Sequence, residues 1–195
     1  MLRSCRPFVL WFTGLSASGK TTLASLLSIE LTKMQLACFV LDGDQLRSGL
    51  CSDLGFSQPD RAENIRRAGE VARLLVDAGL IVIAALISPY ESDRARVRKL
   101  FDHDQFYEIF LECPIEVCRK RDPKGLYRKA ESGTISAFTG ITDPYERPSA
   151  AELVLPTGEL TIQESLNILV EFVLQLCSSR QGLGLSGSAA SSPSS

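Results

Sequence analysis

Apolar positions along this chain fall into two patterns, short continuous runs and longer stretches with helical spacing, and the two alternate. The runs are Phe8–Thr13, Cys38–Leu41, Leu80–Ile87, Phe106–Leu111 and the pair Val154 and Leu155. A run that is apolar throughout, rather than at every second position, is expected of a strand covered on both faces. Between the runs, Lys20–Met34 sets Leu23, Leu26, Leu27 and Leu31 on one helical face, and Arg61–Ala78 reads as a long helix closed by Gly79. Pro114 stands where a helix tolerates proline, at its opening. Thr161–Leu176 spaces Ile162, Leu166, Leu169 and Val173 so that they pack back on a sheet. The alternation predicts βαβ units in a three-layer α/β/α arrangement around a mostly parallel, five-stranded sheet.

Two stretches carry no core pattern. Asp122–Pro148 is polar, charged and glycine-containing, and long for a connection in a compact domain, so residues 122–148 read as a mobile lid. The last residues, 179–195, are rich in glycine, serine and alanine and read as a disordered tail. Residues 1–178 then make one domain, for which 195 residues in all suffice. A net charge of −2 offers no general attraction to nucleic acid or an anionic membrane, so neither is expected as a partner. No apolar run approaches the ~20 residues of a spanning helix. The first run is followed by a glycine turn rather than a cleavage site, which makes the cytoplasm the default expectation. Six scattered cysteines form no C-x-x-C pair, and one histidine cannot complete a Cys/His metal set; free thiols are expected.

The chemistry begins after the first run. Gly14-Leu15-Ser16-Ala17-Ser18-Gly19-Lys20-Thr21 matches G-x-x-x-x-G-K-[ST] between a strand and a helix, the context in which this loop binds nucleoside triphosphates. Glycines let successive N–H groups turn inward toward phosphate oxygens, and the helix N-terminus adds further unpaired donors. Lys20 can reach the β and γ phosphates, and the Thr21 hydroxyl can ligate Mg²⁺. ATP and Mg²⁺ are therefore expected.

The acceptor side is less explicit. Asp42 and Asp44 follow the second run, at the end of a strand where ligands gather in open parallel sheets. They could divide the holding of Mg²⁺ from the acceptance of a hydroxyl proton, although Asp-Gly-Asp alone is also a common turn. Arg61 and Asn64, three apart, share a helix face, and Arg47 lies upstream; guanidinium forks suit phosphate or sulfate. Arg66 and Arg67 fit a solvated face equally well. Phe56, in a polar loop, could stack on a base or cap the core. Ser88 could bind substrate, act covalently or cap the following helix, on which Arg94, Arg96 and Arg98 read as a solvated face. Lid cations such as Arg121 and Lys124 could close over a nucleotide and exclude water.

Taken together, these segments resemble the adenylylsulfate kinase family, whose members phosphorylate the 3′-hydroxyl of adenosine 5′-phosphosulfate. The matching blocks are Gly14–Thr22, Leu41–Asp44, Asp53–Ser57, Asp60-Arg61 with Glu63–Arg67, Ile87–Tyr90, Arg121–Tyr127 and Phe138–Ile141, in family order over about Phe8 to Leu176. The resemblance implies a P-loop kinase fold, a homodimer, and roles for matched positions. Gly14 to Thr22, with Arg121, are the ATP contacts, and Thr21 and Asp42 the metal side. Phe56 and Phe138 sandwich the acceptor adenine. Asp44, Arg47, Arg61, Asn64, Ile87, Ser88, Lys124 and Leu126 complete the acceptor site. Lys20, Asp42 and Asp44 are the catalytic set, and Ser88 matches a serine labelled in the family as a phosphoserine intermediate. Direct in-line transfer between two bound nucleotides needs no such intermediate. Three positions depart from the family pattern: Ala17 for glycine, with little cost expected, Gln45 for asparagine, and the acidic Glu91 near an anionic substrate. Two other readings share the P-loop: a kinase of another small hydroxylated metabolite, and a regulatory copy that binds nucleotides without turnover.

Overall fold

The computed structural model describes residues 5–135 and 138–179. Five strands, β1 (Val9–Thr13), β2 (Cys38–Asp42), β3 (Ile81–Ala85), β4 (Phe106–Glu112) and β5 (Leu153–Pro156), form one sheet. Its order is β2-β3-β1-β4-β5 and every pairing is parallel. All five residues of β1 are buried, as the unbroken apolar run requires of a central strand. The chain crosses from β3 to β4 over β1, so a crevice opens at the carboxyl ends of these strands.

Helices cover both faces. On one side α1 (Lys20–Lys33) and α7 (Ile162–Ser179) pack Leu23, Leu27, Leu31, Leu166, Leu169 and Val173 against Phe8, Leu10, Phe12, Ile83 and Ile109. On the other, α3 (Gln58–Asp77) and α4 (Glu91–Arg98) close Ile65, Ala68, Ala72, Val76 and Val97 over Val9, Trp11, Val82 and Ala84. Helix α3 starts three residues before the expected Arg61 because Ser57 caps it, its hydroxyl accepting from the Asp60 amide. The short helices α2 (Gly43–Ser48), α5 (Ile115–Arg121) and α6 (Leu126–Glu131) frame the crevice.

The structure corrects three expectations. The segment Asp122–Pro148 is not without a core: α6 lies within it, and Tyr127, Ala130 and Phe138 are buried with Cys113 and Cys118. Not all cysteines are free, since Cys5 and Cys177 form a disulfide joining the chain ahead of β1 to α7, their Cα atoms 5.0 Å apart; the pair is 172 residues apart in sequence. Arg94 is no solvated side chain but one of the largest fully buried ones. No helix among the described residues is long and apolar enough to cross a membrane. The tail expected at 179–195 lies almost wholly outside the described residues.

Candidate active site

The P-loop turns between the end of β1 and α1. Gly14 has φ +149°, and a Cβ there would meet the Leu111 carbonyl at 2.7 Å, so no larger residue fits. Ala17 has φ +62°. The expectation of little cost there misses this backbone requirement, because a side chain in the left-handed region is strained by about 1 kcal/mol where glycine is not. The loop is braced from outside: Tyr127 Oη donates to Ser16 O at 3.1 Å and Thr157 Oγ1 to Ser18 O at 2.9 Å.

Lys20 folds back over the loop. Its Nζ donates to Gly14 O at 2.9 Å and Leu15 O at 2.6 Å, with Ser18 Oγ at 3.4 Å. Burial pushes its pKa down from 10.5 to about 8. The folded chain thus holds this proton less tightly than the unfolded chain. This group's destabilising contribution is complete below about pH 8 and disappears as pH rises from there to 10.5, so stability gains with pH across that window. Phosphate binding reverses the balance by favouring the ammonium form. At about pH 9, ATP binding is expected to take up a proton, which calorimetry in buffers of different ionisation enthalpy measures.

Asp42 and Asp44 occupy distinct places. Asp42 is buried; its Oδ2 accepts from Thr21 Oγ1 at 2.8 Å, and its Oδ1 caps α2 through the Asp44 amide at 2.9 Å. Asp44 projects into the crevice with its side chain 69% exposed and ion-pairs with Lys124 from the lid. A hydroxyl and a carboxylate touching beside the phosphate loop are hard oxygen donors. They fit Mg²⁺, which takes one or two protein ligands and completes its shell with water and phosphate.

The acceptor candidates line the same cavity. Its volume of about 1260 Å³ exceeds the ~300–1,000 Å³ of a single small-molecule site. Phe56 and Phe138 both face it, Phe56 half-exposed beneath the Arg47 guanidinium at 4.4 Å, Phe138 packed edge-on against Tyr127 at 4.9 Å. Arg61 is buried: its Nε donates to Phe56 O at 2.9 Å, Nη1 to Thr139 Oγ1 at 3.1 Å and Nη2 to Asp143 Oδ2 at 3.0 Å. Asn64 lies beside it on α3, and its buried Oδ1 has no hydrogen-bond partner among the described residues, a polar atom left for a ligand. Lys124 and Leu126 line the lid side, Ile87 and Ser88 the floor. Arg121 reaches the opposite end, donating to Thr157 O at 2.6 Å. Arg66 and Arg67 stay outside, paired with Glu63 and Asp53.

Ser88 lies at φ +40°, with its hydroxyl accepting from Trp11 Nε1 at 3.1 Å. Of the departures, Gln45 is exposed. Glu91 points away from the ligand crevice to Ser149, whose hydroxyl donates to it at 2.5 Å. Sequence reasoning missed one wall: Thr157, Leu160, Ile162 and Ser165, where β5 leads into α7. The signal available was their place just beyond the carboxyl end of β5, a strand of the same parallel sheet.

Comparison with known proteins identifies relatives of the chain and of its fold. A family model described as adenylylsulphate kinase matches residues 6–156. The adenylyl-sulfate kinase of Geotalea uraniireducens is 56% identical over 168 residues, 86% of this chain and 81% of that protein. That of Bacillus pumilus is 54% identical over 165 residues, 85% of this chain and 84% of its own. Among solved structures, the Mycobacterium tuberculosis APS kinase CysC in complex with AMPPNP and APS superposes with a TM-score of 0.82 at 45% identity, covering 88% of this chain and 99% of that one. A gluconokinase from Sinorhizobium meliloti, 14% identical with a TM-score of 0.62, shares the fold.

Proposed function

The chain belongs to the adenylylsulphate kinase family, and from that premise we propose how its crevice works: ATP at the P-loop phosphorylates the 3′-hydroxyl of adenosine 5′-phosphosulfate bound across from it. The products are ADP and 3′-phosphoadenosine 5′-phosphosulfate. The observation that carries the reading is one cavity, large enough for two nucleotides, with a phosphate loop at one end and Phe56, Asn64 and Phe138 at the other.

Ser16 to Thr22 wrap the donor phosphates with backbone N–H groups, and Lys20 leaves the Gly14 and Leu15 carbonyls for the β and γ phosphates. Thr21 and Asp42 would hold Mg²⁺, which would supply charge neutralisation to the phosphoryl group being transferred. Asp44 accepts the proton of the 3′-hydroxyl, after Lys124 turns from it to the acceptor's anionic group. Arg47, Arg61 and the Asn64 side-chain amide N–H donate to the phosphosulfate end, Phe56 and Phe138 stack on the adenine, and Arg121 closes over the donor. The lid excludes water, so that the hydroxyl rather than water receives the phosphoryl group.

The test is a coupled ATP assay with adenosine 5′-phosphosulfate against a panel of sugar acids and nucleosides. Turnover confined to the first supports the reading; a folded, Mg²⁺-saturated sample that turns over another acceptor instead removes it. Ser88→Ala bears on the covalent alternative. Turnover is expected to stay within about threefold, while the melting temperature falls by a few degrees because buried Trp11 loses its acceptor. Lost turnover in folded protein would restore the phosphoserine. We also propose a cytoplasmic homodimer, the state implied by the family resemblance; since a structural relative from Thiobacillus denitrificans is described as hexameric, a solution mass measurement decides the number.

A further inference from the structure

Behind the acceptor floor lies a buried polar network that the mechanism above does not use. Its centre is Arg94 on α4, 2% exposed. The guanidinium reaches three separate parts of the chain. Nη1 donates to Ser88 O at 2.8 Å and Nη2 to Glu146 O at 2.9 Å, while Nε forms an ion pair at 2.6 Å with Glu108 Oε1 on β4, off the line of a hydrogen bond. Glu108 is itself buried, and its other oxygen stands 3.4 Å from Arg98.

The two carbonyls belong to segments far apart in sequence. Ser88 is in the loop that floors the acceptor site; Glu146 is in the returning end of the lid, three residues after the Asp143 that pairs with Arg61. Around Arg94 the same two segments are tied twice more. Glu146 N donates to Pro89 O at 2.8 Å, and Tyr145 Oη meets Thr13 Oγ1 at 2.9 Å, which in turn donates to Ile87 O at 2.7 Å.

We propose that Arg94 is a positioning residue for the acceptor: its fork fixes the backbone of Ile87 and Ser88 in register with the returning end of the lid. An ion pair with Glu108 alone explains neither the residue type nor the geometry. Burying a charge pair brings little net stability over an apolar pair, whereas a planar guanidinium offers donors in fixed, divergent directions that an ammonium lacks. Ser88 gives the reason for a restraint. A non-glycine residue at φ +40° persists only where its surroundings over-determine it, and the bonds from Arg94 to its carbonyl and from Trp11 to its hydroxyl do so.

The inference rests on the acceptor assignment above, and wild-type turnover tests that separately. Two variants test Arg94. Arg94→Lys keeps a cation facing Glu108 without the fork; Arg94→Met combined with Glu108→Leu removes the buried charges together. Both are to be assayed where their far-UV circular dichroism and cooperative thermal melt match wild type. The acceptor KM is expected to rise about tenfold or more while the ATP KM stays within about twofold, as misplacement of an orienting group predicts. Trp11, the only tryptophan, reports on the loop independently of turnover: its emission is expected to shift in both variants, and its response to acceptor to need about tenfold more acceptor. A role in stability alone lowers the active fraction and leaves both KM values in place. A folded variant with wild-type acceptor KM and Trp11 response overturns the proposal, as does loss of fold in both variants.

Discussion

Lys20→Met is expected to lower kcat/KM by about 10³-fold or more while leaving the fold standing. Methionine nearly matches the aliphatic length of lysine and carries no charge, so it fits the space that Nζ occupies over the loop. In the ligand-free protein the lysine's burial disfavours its charged form, holding the pKa near 8. Removing that charge therefore lifts a destabilising contribution, against the loss of donors to Gly14 O and Leu15 O. The two effects oppose each other, and the melting temperature is expected to move by only a few degrees. The transferring phosphoryl group has no such compensation, because its developing charge loses the one side-chain cation supplied by the P-loop. Steady-state kinetics beside a thermal melt checks both halves. Activity within about tenfold of wild type would mean that backbone donors alone carry the phosphate chemistry.

Asp44→Asn is expected to have the second largest effect, a fall in kcat of about 10²- to 10⁴-fold with ATP affinity unchanged. Asparagine preserves shape, and the Asp44 backbone amide still caps α2 on Asp42. What disappears is the ability to accept the acceptor's proton, together with the ion pair to Lys124. That pair is largely solvent-exposed and contributes little to stability, so a stable but slow enzyme is expected. ATP binding by calorimetry and kcat at saturating acceptor separate the two properties. If the variant instead needs more Mg²⁺ to reach normal turnover, the roles assigned to Asp42 and Asp44 exchange.

Much of this architecture could be read before any coordinates. A strand buried on both faces must be apolar throughout, which makes β1 and β3 conspicuous, and the P-loop identifies itself because glycine φ, helix start and lysine are fixed by one anion. The family resemblance added the acceptor, since Arg121–Tyr127 and Phe138–Ile141 carry specificity that the phosphate loop lacks. What stayed hidden has identifiable causes. Helices α2 and α6 have six residues each, too few for a periodicity to stand out. Buried Tyr127 and Phe138 sit in a polar segment whose core is made with the P-loop and α5 rather than along its own sequence. Spacing gives no hint of the bond between Cys5 and Cys177. Arg94 looked solvated because its partners, two carbonyls and Glu108, come from other elements. Ala17 looked harmless because a motif position open to any side chain still fixes its backbone.

Glu91 illustrates the converse. It departs from the pattern near a charged site, yet its carboxylate accepts from the Ser149 hydroxyl. Gln45, next to Asp44, is exposed.

The claim that one crevice joins donor phosphate to acceptor hydroxyl is tested most directly by following the γ-phosphate. With γ-labelled ATP and adenosine 5′-phosphosulfate at saturating Mg²⁺, the label is predicted on the acceptor's 3′-oxygen, with little released as inorganic phosphate. Label recovered only as inorganic phosphate, or on any other position of the acceptor, would contradict the account.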